Sequence, residues 1–217
     1  MSILVLFLAF FSAPSTDSIL ERMAAVAIPD TVDYRMSTTV QGPGIRASTS
    51  SHMVKAGAGR QRMELDAPAT RLRIVRNGNR TQMTDLVTGE SKVVPSADGA
   101  EDMSGVLGQL RGRKWSAPRF LGNDQWELSE DMSSDSLLSR QSLVWSESEQ
   151  QLLSFVRIGR AKDTTTMEFA WMRVQGRKVP SLFTIRLRMD GRETITKVGF
   201  TDWSFPKSVP SSLFAIP

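Results

Sequence analysis

The sequence contains no cysteine and only one histidine and one tyrosine among its 217 residues. The lack of cysteine excludes a disulfide framework, a thiolate metal site and a lipid-modified N-terminal cysteine. The scarcity of histidine leaves His52 as the one conventional side chain that could act as a catalytic base near neutral pH.

Motifs that carry catalysis or bind cofactors are also missing. We find no G-x-S-x-G elbow, no H-E-x-x-H pair, no P-loop and no G-x-G-x-x-G fingerprint. Asp98, Glu101 and Asp102 lie close together but lack the alternating spacing of a calcium loop, and they are typical of the charged start of a helix. The sequence therefore predicts a protein that is not an enzyme and binds neither cofactor nor metal. A hydrolase that uses a loop serine with His52 as base remains a weaker alternative.

Charge of one sign does not dominate the chain, because 27 basic residues are interspersed with 23 acidic ones. Arginine is most concentrated in RLRIVRNGNR, residues 71–80, where it alternates with aliphatic residues. Glutamate and aspartate occur in the same predicted strands, and the strand aromatics are flanked by apolar residues rather than by a basic patch. This pattern predicts the solvated face of a sheet and no nucleic-acid partner.

The N-terminus, MSILVLFLAFFSAPS, holds an uncharged apolar run from Ile3 to Phe11 followed by small residues. The run is too short to span a bilayer comfortably and is typical of a secretory signal peptide. We predict a signal peptide over residues 1–15, cleaved near Ser15, and a periplasmic mature protein. A buried N-terminal strand or a mis-assigned start codon are the alternatives.

Two short helices are predicted from apolar residues at helical spacing. Ser18 and Glu21 form a plausible capping box for a helix over residues 18–27 that ends before Pro29. The second helix carries a narrow apolar stripe of residues at i, i+3, i+4 and i+7, namely Met103, Val106, Leu107 and Leu110. Such a helix needs a surface to lie on.

Most of the remaining chain alternates with period two, which predicts about ten antiparallel strands in sequential hairpins. Asn77-Gly78 predicts a type I′ turn, and the QGRK and MDGRE stretches predict two further hairpins. A sheet this wide tends to curl, because strand twist accumulates. The fold class is therefore mainly β, with a single domain over residues 16–217.

One face of this sheet is apolar and rich in methionine, of which the chain has 11. Alternation places Tyr34, Met36, Leu72 and Ile74 inward, and Arg71 and Arg73 toward water. A packed core would explain this pattern. Because two short helices are too small to cover a whole sheet face, we instead predict a partly open apolar cavity. Methionine suits such a lining, since it adapts to ligands of variable shape.

Three stretches resemble the outer-membrane lipoprotein carriers of the bacterial periplasm, the LolA/LolB-like superfamily. They are RQRMELDAPATRLRIVRNGNRTQMTDLVTGE, GRKVPSLFTIRLRMDGRETITKV and the closing FPKSVPSSLFAIP. The order of elements from Asp17 to Pro217 is similar as well. The resemblance implies a strongly curved antiparallel sheet, an incomplete barrel covered by short helices, which has no catalytic residues.

The function that the resemblance implies is that of a soluble, monomeric carrier of lipid or lipoprotein acyl chains. The resemblance also implies an inner-membrane donor protein, an outer-membrane acceptor protein and transient contact with the membrane. The expected cavity walls are Tyr34, Met36, Met63, Leu72, Ile74, Phe169, Trp171 and Phe183, and the expected lid is Met103, Val106, Leu107 and Leu110. The alternative is an envelope-stress sensor or assembly factor of the same fold that binds a protein.

Overall fold

The computed structural model describes residues 13–25, 29–57, 59–95, 110, 113–132, 134–135 and 137–217. In this part of the chain, helix α1 spans Thr16–Ala25 and a short 3-10 helix spans Ser211–Phe214. The strands are β1 Thr31–Gly42, β2 Ile45–Ala56, β3 Arg60–Ala67, β4 Thr70–Asn77, β5 Arg80–Asp85, β6 Ser91–Pro95, β7 Arg119–Gly122, β8 Gln125–Asp131, β9 Leu138–Ser146, β10 Gln151–Gly159, β11 Thr164–Val174, β12 Arg177–Met189 and β13 Arg192–Ser204.

All thirteen strands form one antiparallel sheet in the order β6-β5-β4-β3-β2-β1-β13-β12-β11-β10-β9-β8-β7. Each strand pairs with the next one in sequence apart from β6 and β7, and β1 also pairs with β13 through residues such as Met36 and Phe200. The sheet is strongly curved but does not close, so β6 and β7 remain as its two edges. The predicted fold class, a mainly β incomplete barrel, is confirmed, with more strands than the ten expected.

The hairpin turns follow the predicted chemistry, with one shift of register. The Gln175-Gly176 and Asp190-Gly191 turns have positive φ at both central residues, as type I′ turns require. At the Asn-Gly signal the central residues are instead Gly78 and Asn79, and of these Gly78 has φ of 61°. Glycine at the first central position is the pattern of a type II′ turn, so the predicted type I′ turn centred on Asn77-Gly78 is wrong by one residue.

Helix α1 begins two residues earlier than its sequence pattern indicated. Ser15 Oγ accepts a hydrogen bond of 3.1 Å from the backbone N–H of Ser18, so Ser15 is the N-cap. Ser18 already lies in the first turn, where its hydroxyl accepts a hydrogen bond from Arg22 Nη2 at 2.7 Å. The predicted capping box of Ser18 and Glu21 is therefore wrong, and the predicted residues 26–27 lie outside the described residues.

The hydrophobic core has three parts, and they lie on both faces of the sheet. The first packs α1 against β8–β11 and includes Ile19, Met23 and Trp145. The second lies between β1, β12 and β13. The third packs Phe214 of the 3-10 helix against Val54, Ala56 and Val75, whose side chains alternate with those of the face that carries α1. The C-terminal segment thus covers the opposite face of β2–β4.

Candidate ligand-binding face

The sheet face that carries α1, called the inner face below, can be followed from strand to strand by register. Tyr34 pairs with Met53, Met53 with Met63, and Met63 with Ile74. Directly paired residues of antiparallel strands project to the same side of a sheet. This row is therefore a continuous apolar band across β1–β4, and Leu72 lies on the same face two residues before Ile74.

The band continues through the other half of the sheet as aromatic contacts. Phe169 pairs with Phe183, and their ring centroids are 5.0 Å apart. Phe183 lies 4.9 Å from Phe200, the strand partner of Met36. Trp171 packs with Phe169 on the cluster beneath α1, and its Nε1 donates a hydrogen bond of 2.8 Å to the carbonyl of Leu152.

The structure brings all eight residues expected as cavity walls to the inner face. Each of them is half-buried rather than sealed in the core. These residues are Tyr34, Met36, Met63, Leu72, Ile74, Phe169, Trp171 and Phe183. When a ligand covers such partly exposed apolar side chains, more apolar area leaves water, and this burial favours binding.

Sequence reasoning missed several residues of this face, notably Phe200 and Trp203. Tyr34 stacks on Trp203 with ring centroids 4.2 Å apart, and both Phe200 and Trp203 are buried. Phe200 and Trp203 are three residues apart, so they do not follow the two-residue repeat of a strand. The register between β1 and β13 shifts by a bulge at Asp33 and Arg35, and Asp202 has a left-handed backbone with φ of 55°. Alternation up to Phe200 in KVGF was the signal available in the sequence.

Of the expected lid residues, the structure describes Leu110, whereas Met103, Val106 and Leu107 lie outside the described residues. Leu110 is only 4% exposed and packs in the cluster that contains Ile19 and Met23 of α1. Its carbonyl accepts a hydrogen bond of 2.8 Å from Trp115 Nε1. Leu110 therefore lies on the inner face beside α1, where a lid is expected.

An open cleft of about 730 Å³ lies where α1 meets the β7 edge of the sheet. Phe120 and Trp126 line one side of it, with ring centroids 5.0 Å apart. The ion pair between Arg22 of α1 and Glu147 lines the other. Trp126 pairs with Trp145 of the inner face, so the cleft adjoins the apolar band at its β8 end.

The opposite sheet face, called the outer face below, carries Arg62 of β3 and Arg71 and Arg73 of β4 in ion pairs. Glu64 Oε1 accepts hydrogen bonds from Arg62 Nη2 at 2.6 Å and from Arg73 Nε at 2.9 Å. Arg71 lies 4.0 Å from Asp66. Arg71 and Arg73 thus point away from the inner face, as predicted, and their charges are shared with carboxylates on the neighbouring strand.

Glu64 makes the stability of this face dependent on pH. The hydrogen bond from Arg62 and, less strongly, that from Arg73 hold the pKa of Glu64 below its ordinary value of 4.5 against the opposing effect of burial. A lowered pKa means that ionised Glu64 stabilises the fold above about pH 4.5 and that this contribution is lost as the pH falls through the folded pKa. Glu64→Gln should therefore flatten the loss of stability between neutral pH and pH of about 3.

The prediction is checked by urea unfolding of the wild type, Glu64→Gln and the exposed control Glu90→Gln at a series of pH values. The unfolding midpoint of Glu64→Gln should change less with pH than those of the other two proteins. Parallel midpoint curves for all three would contradict a special role for Glu64.

His52 does not lie in a catalytic arrangement among the described residues. Its Nε2 lies 2.6 Å from Asp33 Oδ1 on the neighbouring strand, and the part of the chain that the structure describes shows no serine hydroxyl bonded to it. His52 belongs to the charged outer face, next to Arg35 and Glu64 in the register.

The described residues contain no group of three or more histidine, aspartate or glutamate side chains arranged to hold a metal ion, and Asp98, Glu101 and Asp102 lie outside the described residues. Among the described helices, none combines the length and the apolar character that crossing a bilayer would take.

No protein-family model matches this sequence, and no curated protein matches it. Solved structures do match. A LolA superfamily protein from Nitrosomonas europaea aligns over 94% of this chain and 99% of its own, with a TM-score of 0.58 and 13% identity. A DUF1329 family protein from Desulfovibrio piger aligns over 91% and 94%, with a TM-score of 0.59 and 11% identity. A putative outer membrane lipoprotein-sorting protein domain from Vibrio parahaemolyticus aligns over 90% and 94%, with a TM-score of 0.57 and 10% identity.

These alignments span nearly the whole of each chain, although identity is low throughout. Similarity at this level of identity concerns the fold. The fold of this chain is that of the LolA superfamily and of lipoprotein-sorting domains, as its motifs predicted.

Proposed function

We propose that this protein is a periplasmic carrier that holds the acyl chains of a lipid or lipoprotein against its inner face and delivers them to the outer membrane. The continuous, half-buried apolar band from Ile74 to Trp171 is the observation that carries the proposal. Each methylene that leaves water for such a surface contributes about 0.8 kcal/mol. Binding of this kind needs no covalent chemistry.

The proposal includes export, with a signal peptide over residues 1–15, and a monomer that meets donor and acceptor proteins at the two membranes. The fold supports the sorting role, since one matching structure is a putative outer membrane lipoprotein-sorting protein domain from Vibrio parahaemolyticus. Because acyl chains must enter and leave, the cover over the inner face has to open. The proposed lid consists of Met103, Val106, Leu107 and Leu110.

Substitution of Met36 tests the carrier function. Met36 lies half-buried on the inner face, and its neighbour Ser37 is exposed on the outer face. Met36→Glu places a carboxylate in the apolar band, where burial under a ligand costs its hydration. We expect the lipid that co-purifies with Met36→Glu, measured by mass spectrometry of organic extracts, to fall at least severalfold below the wild-type amount.

Ser37→Glu is the matched control, since it adds the same charge one residue away on the outer face. It should retain the wild-type lipid content, and circular dichroism should show both variants folded. Equal lipid in all three proteins, or no lipid in the wild type after expression in a bacterial envelope, would contradict the carrier function.

A second candidate function is recognition of a protein partner, favoured by the edge strand β7. Phe120 and Leu121 of this strand are 56% and 42% exposed, and among the described strands β7 pairs with β8 alone. An unpaired edge with apolar side chains suits the addition of an extended peptide as a further strand. Purification from envelope extract separates the two functions: a stoichiometric protein without lipid favours the partner-binding module.

A further inference from the structure

The inner face contains a row of polar residues that acyl-chain binding alone does not explain. Glu130 of β8, Gln141 of β9 and Arg157 of β10 are cross-strand neighbours, so they project to the same side. The next row on this side is apolar and consists of Leu128, Leu143 and Phe155. The polar row therefore lies directly beside the apolar floor under α1.

Within the described part of the chain, two atoms of this row are buried without a hydrogen-bond partner. One is Nε of Arg157, a donor, and the other is Oε1 of Gln141, an acceptor. Gln141 is only 1% exposed. Its amide nitrogen donates to Glu130 Oε2 at 2.5 Å, and Glu130 Oε1 accepts from the backbone N–H of Lys114 at 3.2 Å. Buried polar atoms are nearly always paired, so each unpaired one needs an explanation.

The charge of Arg157 has no close counterion among the described residues. No carboxylate in that part of the chain forms an ion pair with it, and its guanidinium lies 5.0 Å from the ring centroid of Phe155. Glu130 belongs to a strand two positions away in the sheet, which corresponds to roughly 10 Å between backbones. Its direct strand partners on this face, Gln141 and Thr165, are uncharged, so the guanidinium is the local positive charge beside the apolar row.

We propose that Arg157 and Gln141 form a head-group site for an amphiphile with an anionic head, a carboxylate or a phosphate, whose acyl chain lies on Met167 and Phe169, the half-buried inner-face residues of the neighbouring strand β11. The inference rests on the proposed carrier function and specifies its ligand. A guanidinium offers a planar fork of donors that matches carboxylate and phosphate oxygens. The free carbonyl of Gln141 would accept a hydrogen bond from a hydroxyl or amide of the same head group.

The test uses the full chain after purification and removal of bound lipid. The probes are pyrene-dodecanoate and its neutral methyl ester, which have the same apolar chain and differ in head-group charge. Wild type should bind the carboxylate at least about tenfold more tightly than the ester in fluorescence titrations, as expected for a charged hydrogen bond. Arg157→Gln should abolish this preference and leave the affinity for the ester unchanged. Arg157→Lys, which keeps the charge but not the fork, should retain part of the preference.

Arg140→Gln is the matched control. Arg140 is exposed on the outer face of β9, opposite Ile158, so its loss removes the same charge without touching the site. Its preference should equal that of the wild type. If Arg157→Gln and Arg140→Gln lost the preference for the carboxylate equally, the preference would come from net charge, and the proposed site would be overturned.

Competition identifies the source of the anion. Palmitate, lysophosphatidylglycerol and neutral monopalmitoylglycerol are each used to displace the ester from the wild type. Stronger displacement by either anionic competitor supports the site, and the better of the two shows whether carboxylate or phosphate is preferred. Equal displacement by all three, with the ester still bound tightly, overturns the site and leaves the carrier function intact. Failure of the wild type to bind even the ester overturns both.

Discussion

Replacement of Trp145 by alanine should lower the free energy of unfolding by about 3–5 kcal/mol, the range for truncation of a fully buried aromatic side chain. Trp145 is 0% exposed and lies in the cluster that joins α1 to β8–β11. Its Nε1 also donates a hydrogen bond of 3.1 Å to Glu147, which pairs with Arg22 of α1. The substitution thus leaves a cavity beneath α1. It also removes one hydrogen bond to Glu147, the residue that pairs with Arg22 of this helix.

Urea unfolding followed by circular dichroism measures this loss. Phe120→Ala is the control, because Phe120 is an aromatic residue close to the same cluster but largely exposed. Its truncation should change stability by less than about 1 kcal/mol. Similar midpoints for Trp145→Ala and Phe120→Ala would show that the cluster under α1 does not stabilise the fold.

Replacement of Phe214 by alanine is expected to have an effect of similar size, about 3–5 kcal/mol, at the other side of the sheet. Phe214 is 0% exposed and packs on Val54, Ala56 and Val75 of the outer face. The guanidinium of Arg60 lies 5.7 Å from its ring centroid, and Asn77 Nδ2 donates to its carbonyl at 3.1 Å. Loss of the ring should release the C-terminal segment from β2–β4.

Limited proteolysis distinguishes release of this segment from global unfolding. Phe214→Ala should be cut after Lys207 in native buffer, with the remaining sheet intact by mass spectrometry, at a protease level that leaves the wild type uncut. Leu137→Ala, at a largely exposed leucine, serves as control and should resist cleavage there. Uncut Phe214→Ala with an unchanged urea midpoint would refute the contribution of this contact.

Much of the candidate site could be predicted because a strand repeats every two residues. Tyr34 and Met36 alternate with Arg35 and Ser37, and this local pattern alone assigns the first pair to one face. The same reasoning placed Leu72 and Ile74 inward and Arg71 and Arg73 outward, where the structure has them. Hairpin order was predictable for a related reason, since the turn signals lie in the chain beside the strands they join.

The features that were missed depend on contacts between distant parts of the chain or on weak local signals. The β7–β8 hairpin turns at Asn123-Asp124, with φ of 49° and 56°, and Asn-Asp predicts a type I′ turn less strongly than Asn-Gly. The N-cap at Ser15 was overlooked because Ser18 and Glu21 offered a better-known pattern. No apolar periodicity predicts the burial of Phe214 on the outer face, because the C-terminal segment that carries it lacks the repeating pattern of a strand or a long helix.

The amino-acid sequence by itself determined that the chain forms a wide antiparallel sheet with one apolar and one charged face, because alternation and turn chemistry act between neighbours in the chain. Only the tertiary structure decided that β1 pairs with β13, that the C-terminal segment covers part of the charged face, and that Gln141 and Arg157 meet beside the apolar floor. Those arrangements depend on register between strands and on burial against distant residues, and neither is expressed in the local order of side chains.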